Sequence, residues 1–185
     1  MSDTNRINTR IMAEVSIMLA LAAVLEIIAM FLPRQPQGGS VGLSMLPILL
    51  IAYRHGFKTG VLAGIVFAIL NMIISGFTFV GIHWGVVFLD YLLAFGVLGT
   101  AALIFRIDRD SIKYFTLGMF VAMMGRFFFH FLSGVILFGE YAPEGQPVPI
   151  YSLIYNGTYM VPSIIITLLV GAALFVRLKE QLQSE

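Results

Sequence analysis

Long apolar segments, each about as long as a lipid bilayer is thick, dominate this sequence and restrict its fold more than any motif does. The first runs from Ile11 to Leu32, and about 20 apolar residues suffice for one helical span. Hydrophobic residues make up 59% of the chain and charged residues only 11%, a composition far too apolar for a soluble domain. The sequence therefore predicts an all-α polytopic membrane protein with one integral membrane domain over residues 1–185.

Six transmembrane helices are predicted, over about residues 11–32, 43–53, 59–75, 83–105, 114–138 and 150–176. The second is too short to span a bilayer unless part of the preceding loop dips inward. Nine of the lysines and arginines fall in the tails and in the second and fourth loops, whereas only Arg34 lies in a loop on the opposite side. By the positive-inside rule, this asymmetry places both termini in the cytoplasm.

The residue inventory argues against several chemistries. The chain has no cysteine, which excludes a disulfide framework and a thiolate metal site. Its three histidines, His55, His83 and His130, are scattered rather than spaced as metal ligands. No serine–histidine or paired-aspartate motif occurs at a plausible spacing. We expect no catalytic site, metal or cofactor, and no nucleic-acid partner.

Three polar residues inside the apolar segments point to a pocket. A cation at membrane depth costs roughly 2.5 kcal/mol or more, so Arg126 should face a polar cavity or a carboxylate. His130 lies one turn away on the same helix face, and Asp90 lies at a similar depth, roughly 12 Å from the outer surface. A buried Asp90–Arg126 pair that only fixes helix packing is one interpretation. Because other polar residues, including Asn71 and Asn156, also fall in the outer half of the spans, a pocket open to the outside is the other.

Aromatic residues near these three positions suggest what such a pocket would bind. The set comprises Phe127, Phe128, Phe129, Phe131, Phe138, Tyr141, Tyr151, Tyr155 and Tyr159. With a carboxylate as counter-ion, aromatic rings suit a flat, cationic, heteroaromatic ligand. Glu26, near the outer end of the first helix, either lines the same cavity or meets the lipid headgroups.

Four sequence strings, in this order, resemble the thiamine-specific substrate-binding subunit of energy-coupling-factor (ECF) vitamin transporters. They are FLDYLLA at 88–94, RFFFHFLSG at 126–134, EYAPEG at 140–145 and YSLIYNG at 151–157. The resemblance implies a six-helix fold with an outward-facing thiamine pocket and no transport ATPase of its own. The chain indeed has no GxxxxGK[ST] phosphate loop.

The resemblance also implies roles for individual residues. The ligand contacts it implies are Asp90, Tyr91, Arg126, His130, Phe138, Tyr151 and Asn156. Phe138 replaces a tryptophan of the family and Asp90 a glutamate, while Gly38 and Gly42 stand where the first external loop has a tryptophan and a glutamate. Ser16 and Ala20 match the small-xxx-small surface that docks the coupling protein, although packing within this chain is the commoner use of such a pair.

The expected function is thiamine capture at a bacterial cell membrane, with Asp90 beside the ligand's positive ring. The expected partners are thiamine, the lipid bilayer, a transmembrane coupling protein and two cytoplasmic ATPases. Two alternatives remain. One is a substrate-binding subunit for another vitamin or a thiamine precursor. The other is a self-sufficient, proton-driven secondary transporter, with Asp90, His130 and Glu26 as proton carriers.

Overall fold

Five apolar helical segments form the described part of the chain, which covers residues 9–32, 34–36, 38–76 and 83–183 of a computed structural model. They are α1 (Thr9–Ala29), α2 (Met45–Ile74), α3 (Trp84–Phe105), α4 (Ile112–Leu137) and α5 (Val148–Gln183). By length and composition, each could cross a membrane. Within these ranges there is no strand, which confirms the all-α prediction. Arg6 and most of the predicted loop 76–82 lie outside the described residues.

The second and third predicted helices lie in the single segment α2, which is interrupted at Gly56. That residue has φ +81°, outside the helical region and accessible chiefly to glycine. A Cβ added at Gly60 would lie 2.9 Å from the Cα of Ala52, whereas an unbroken helix separates residues eight apart by about 12 Å. The chain therefore folds back at Gly56, and α2 has two arms. With the two arms of α2 counted as one segment, the described residues contain five candidate spans, against the predicted six.

Glycines bring the second arm of α2 against α3. A Cβ at Gly64 would overlap the carbonyl oxygen of Phe95, and one at Gly99 would overlap the backbone nitrogen of Val61. Small residues at these points allow the two backbones to touch. Gly60 and Gly64, which are in GxxxG spacing, both lie at this contact.

α3 departs from regular α-helical geometry in the stretch that carries the FLDYLLA string at 88–94. It contains a π-helical turn over Val87–Leu93 and a 3-10 turn over Val97–Thr100. The π-helical turn includes Asp90 and Tyr91. Such turns are frequent at functional sites, because the extra residue re-aims neighbouring side chains.

One end of the bundle is closed by an aromatic cluster, which consists of Tyr53, Phe105, Phe115 and Phe175. The rings of Phe115 and Phe175 stack at 4.7 Å, and Tyr53 meets Phe115 edge-on at 5.2 Å. Edge and offset-stacked pairs of this kind add to the stabilisation from burial. We call this end the aromatic end.

Charged contacts gather around the same end. Arg54 donates to Glu14 of α1 at 3.1 Å, and Lys179 of α5 pairs with Asp110 at 2.9 Å. The hydroxyl of Tyr53 donates to the carbonyl oxygen of Arg109 at 2.7 Å. Arg54, Arg109 and Lys179 thus lie at one end of the molecule.

α1 lies at the edge of the bundle and packs mainly on α2. Ser16 and Ala20 are both exposed, and Ile17 between them is 67% exposed. The interpretation that this pair serves helix packing inside the chain is therefore wrong. The pair lies on a surface that no described part of the chain covers.

Candidate functional site

A cavity of about 590 Å³ opens at the end of the bundle opposite the aromatic end. This volume is within the range of small-molecule sites. All seven ligand contacts predicted from the sequence line it, namely Asp90, Tyr91, Arg126, His130, Phe138, Tyr151 and Asn156. The predicted docking residues Ser16 and Ala20 do not.

Asp90, His130 and Arg126 form a hydrogen-bonded chain along one wall of the cavity. His130 Nδ1 lies 2.8 Å from Asp90 Oδ1, and Arg126 Nε donates to His130 Nε2 at 3.2 Å. Ser133 donates to the other oxygen of Asp90. Arg126 and His130 are one turn apart on α4 and therefore share a face. The π-helical turn of α3 brings Asp90 to the same face.

The hydrogen-bond pattern fixes which ring nitrogen of His130 carries the proton. A guanidinium group only donates hydrogen bonds, so Nε2 of His130 accepts from Arg126. Nδ1 then carries the proton and donates to Asp90. The alternative interpretation of a direct Asp90–Arg126 pair is wrong, because the imidazole of His130 lies between the two charges. The guanidinium carbon of Arg126 instead lies 3.9 Å from the ring centre of Phe95, a cation–π arrangement.

The side chain of Asn156 is hydrogen-bonded to three other residues of the protein. Its amide nitrogen donates to the carbonyl oxygens of Ser152 at 2.9 Å and His130 at 3.3 Å. Its carbonyl oxygen accepts from the hydroxyl of Tyr159. One lone pair of that carbonyl stays free for a ligand. The residue thus also fixes the positions of His130 and Tyr159.

Tyrosines of α5 form an aromatic wall that the sequence reasoning only partly identified. Tyr151, Tyr155 and Tyr159 follow one another at four-residue spacing and all line the cavity. Their neighbouring ring centres lie 5.7 and 6.4 Å apart. The sequence analysis named all three among the aromatic residues near the pocket but only Tyr151 among the ligand contacts; their four-residue spacing places them on one helix face.

The phenylalanines of α4 lie elsewhere. Phe127, Phe128 and Phe131 line a separate, almost wholly apolar groove between α4 and α5, and Phe129 does not line the cavity. Their expected clustering around the pocket is therefore wrong. Phe138, beyond the end of α4, does line the cavity and packs against Tyr141 with 6.1 Å between ring centres.

The loop between α1 and α2 covers part of the cavity through its glycines. Gly38 and Gly39 have φ near +100°, a conformation that side chains other than glycine rarely adopt. The hydroxyl of Tyr155 donates to the carbonyl oxygen of Gly38 at 2.8 Å, and the amide of Gly42 donates to Ser163 Oγ at 3.1 Å. The residues that depart from the family pattern thus hold the loop against α5 through backbone groups.

Glu26 also lines the cavity. Of the two predicted locations, the cavity and the lipid headgroups, the structure shows the first. Glu26 falls on the face of α1 that carries the buried residues Leu19, Ala22 and Ala29. These positions recur at three- and four-residue spacing, as on one helix face. The pattern was readable in the sequence. In the described ranges, no group of three or more histidine, aspartate or glutamate side chains is arranged to hold a metal ion.

Comparison with known proteins gives consistent matches over most of the chain. The family described as "Thiamine transporter protein (Thia_YuaJ)" matches residues 12–183. The thiamine transporter ThiT of Bacillus subtilis is 36% identical over 181 residues, 93% of each chain. ThiT of Lacticaseibacillus paracasei is 31% identical over 145 residues, 70% of each chain. A solved structure of ThiT from Listeria monocytogenes superposes with a TM-score of 0.79 and 22% identity, covering 96% of this chain and all of that one.

Proposed function

The chain belongs to the thiamine transporter family Thia_YuaJ, and from this premise we propose that it captures thiamine in the cavity and serves as the substrate-binding subunit of an ECF-type transporter. As a member of this family it is a multi-pass membrane transport protein, not an enzyme. The observation that carries the proposal is the Asp90 carboxylate, which His130 and Ser133 hold at the edge of an aromatic-walled cavity.

The chemistry of the cavity suits thiamine, which joins a cationic thiazolium ring to an aminopyrimidine. Two of the four lone-pair sites on Asp90 are occupied by His130 and Ser133, so the others are free for a ligand donor. Phe138 and Tyr151 offer ring faces for stacking. Tyr91, Arg126, His130 and Asn156 would contact the polar ends of the molecule.

Orientation follows from the two ends of the bundle. Arg10, Arg54, Arg109 and Lys179 take part in contacts at the aromatic end, and the positive-inside rule assigns such an end to the cytoplasm. With the two arms of α2 as separate helices, the chain has six helices, both termini are cytoplasmic and the cavity opens outward. The reversal at Gly56 supports this count.

Transport would require partners, because a binding cavity closed at one end gives no path through the bundle. The aromatic cluster blocks the cytoplasmic half, which also argues against a continuous proton path. The exposed Ser16–Ala20 face of α1 suits close approach of a helix from a transmembrane coupling protein. Two cytoplasmic ATPases would then supply the energy.

Reconstitution in liposomes tests this function. We expect uptake of radiolabelled thiamine only when the chain is combined with a coupling protein, two ATPases and ATP. The chain alone, with a pH gradient and no nucleotide, should accumulate none. Thiamine uptake by the chain alone would instead support the proton-driven alternative. Binding of a different vitamin in place of thiamine would preserve the architecture and change the substrate.

A further inference from the structure

Glu26 is a largely buried residue that lines the cavity near Arg126. The residue is only 8% exposed and lies in the last full turn of α1, four residues before Met30, whose amide donates to its carbonyl oxygen. Its side chain makes no hydrogen bond or ion pair in the described ranges of the chain. By contrast, Glu14 of the same helix binds Arg10, Arg54 and His55.

An unpaired buried carboxylate is costly, and such groups usually pair or acquire another partner. Glu26 is close enough to Arg126 and Tyr91 to interact with both electrostatically. The side-chain hydrogen bond of Arg126 is made to His130 and not to Glu26. The carboxylate therefore keeps its acceptor sites directed toward a space in which a ligand can bind.

The described lining of the cavity carries more acidic than basic side chains. Among the lining residues that the structure describes, the acidic ones are Glu26, Asp90 and Glu140 and the basic ones are Arg34 and Arg126. Asp90 is joined to Arg126 through His130, and Glu26 also interacts with the Arg126 charge, so one cation faces two carboxylates. Arg34 and Glu140 are both exposed at the mouth and balance each other. The interior therefore has one carboxylate more than it has cations, and Glu26 is the carboxylate that accepts no hydrogen bond from the described residues.

We propose that Glu26 is a further ligand-binding residue and the charge-selecting one, whose carboxylate binds the cationic part of the substrate. This inference rests on the proposed function, since it assumes a cationic heteroaromatic ligand. Asp90 and Glu26 then have separable roles. Asp90 organises one wall of the site, whereas Glu26 makes the interior anionic and matches it to a monocation.

Two ligands separate charge selection from packing: thiamine and its thiophene analogue, in which a neutral ring replaces the thiazolium. Glu26→Gln removes the charge and keeps the shape. We expect its affinity for thiamine to fall roughly 10- to 100-fold, because an unscreened charge close to a ligand cation interacts strongly. Its affinity for the neutral analogue should stay within about twofold of wild type. Calorimetric titration of the purified chain measures both.

The stability of the ligand-free protein supplies a second readout. If Glu26 is held for the ligand, Glu26→Gln relieves an unpaired buried charge and raises the Tm of the ligand-free chain. If Glu26 is only a structural partner of Arg126, the same change lowers that Tm. Glu14→Gln is the matched control, since it removes a carboxylate from the same helix outside the cavity. It should leave both affinities unchanged.

The outcomes distinguish this inference from the function on which it rests. Wild type that binds thiamine, with equal losses for both ligands or no loss in Glu26→Gln, overturns the role of Glu26 alone. A lowered Tm of ligand-free Glu26→Gln does the same. Wild type that binds no thiamine overturns the proposed function and this inference with it.

Discussion

Asp90 holds two neighbouring side chains in place before any ligand arrives, and this determines what its loss would do. Its carboxylate accepts from His130 Nδ1 at 2.8 Å and from Ser133. Replacing it leaves both donors without a charged partner inside the cavity. The consequence is a disordered wall as well as a missing charge.

Asp90→Asn should therefore weaken thiamine binding by roughly 30-fold or more, since breaking a buried, hydrogen-bonded charge site costs at least about 2 kcal/mol. In contrast to Glu26→Gln, it should weaken the neutral thiophene analogue as well. Calorimetry with both ligands measures the difference. The matched control is Asp110→Asn, which removes an exposed aspartate that pairs with Lys179 at the aromatic end. Unchanged thiamine affinity in Asp90→Asn would contradict the assignment.

Residue-level detail was the part of the site that sequence reasoning predicted least well. A fixed rise per residue places Asp90 and His130 at one depth, and the structure brings them within hydrogen-bonding distance. Depth does not decide which atoms pair, because helix rotation and rotamer choice depend on tertiary packing. The imidazole between Asp90 and Arg126 and the outward-facing Phe128 were missed for this reason.

The loop between α1 and α2 is an element whose contacts make it a cover for the cavity. It is fixed to α5 by the hydrogen bonds of Gly38 with Tyr155 and of Gly42 with Ser163. Gly39 packs against the ring of Tyr159 so closely that a Cβ there would lie 2.7 Å from Cδ1. These contacts connect the cover to the aromatic wall.

Tyr155→Phe removes the hydrogen bond to the carbonyl oxygen of Gly38 and keeps the aromatic ring. The bond is worth about 0.5–1.5 kcal/mol, so thiamine should dissociate roughly 2- to 10-fold faster. Stopped-flow displacement by excess unlabelled ligand measures the rate. Tyr141→Phe is the control, because Tyr141 also lines the cavity and its hydroxyl makes no hydrogen bond in the described ranges. Equal rates in wild type and Tyr155→Phe would contradict a covering role.

The contact between α2 and α3 depends on glycine. A Cβ at Gly99 would overlap the backbone of Val61, whereas a Cβ at Gly157 in α5 would meet nothing within 4 Å. Gly99→Ala should lower stability by about 1–3 kcal/mol, as overpacked sites do. Gly157→Ala should be neutral or slightly stabilising. Thermal unfolding in detergent compares them, and a Gly99→Ala protein as stable as wild type would show that the helices separate freely.

Helix existence was predictable because hydropathy and span length are properties of local sequence. The predicted and observed ends of the fifth helix, 114–138 against Ile112–Leu137, differ by one or two residues. The fold-back at Gly56 falls in the predicted loop between the second and third helices, whereas the π-helical turn at Val87–Leu93 was not predicted. The π-helical turn depends on contacts with neighbouring helices, which a local pattern does not contain.

In the molecule as a whole, the proposed binding cavity and the proposed docking surface are separate. The cavity lies at one end, whereas the exposed small-residue face of α1 lies on the side of the bundle and does not touch it. Ala20→Leu should therefore abolish association with a coupling protein, since a bulky side chain prevents close helix approach. Thiamine affinity should stay unchanged. Co-purification measures association, with Ala173→Leu on the exposed surface of α5 as control. Normal association of Ala20→Leu would place the docking surface elsewhere.

The central claim is that this cavity binds thiamine, and calorimetric titration of the purified, ligand-stripped wild-type protein with thiamine tests it most directly. Quenching of Trp84, the only tryptophan in the sequence, provides an independent optical signal. We predict saturable, one-to-one binding with submicromolar affinity. A folded protein that shows no saturable binding of thiamine would contradict the account.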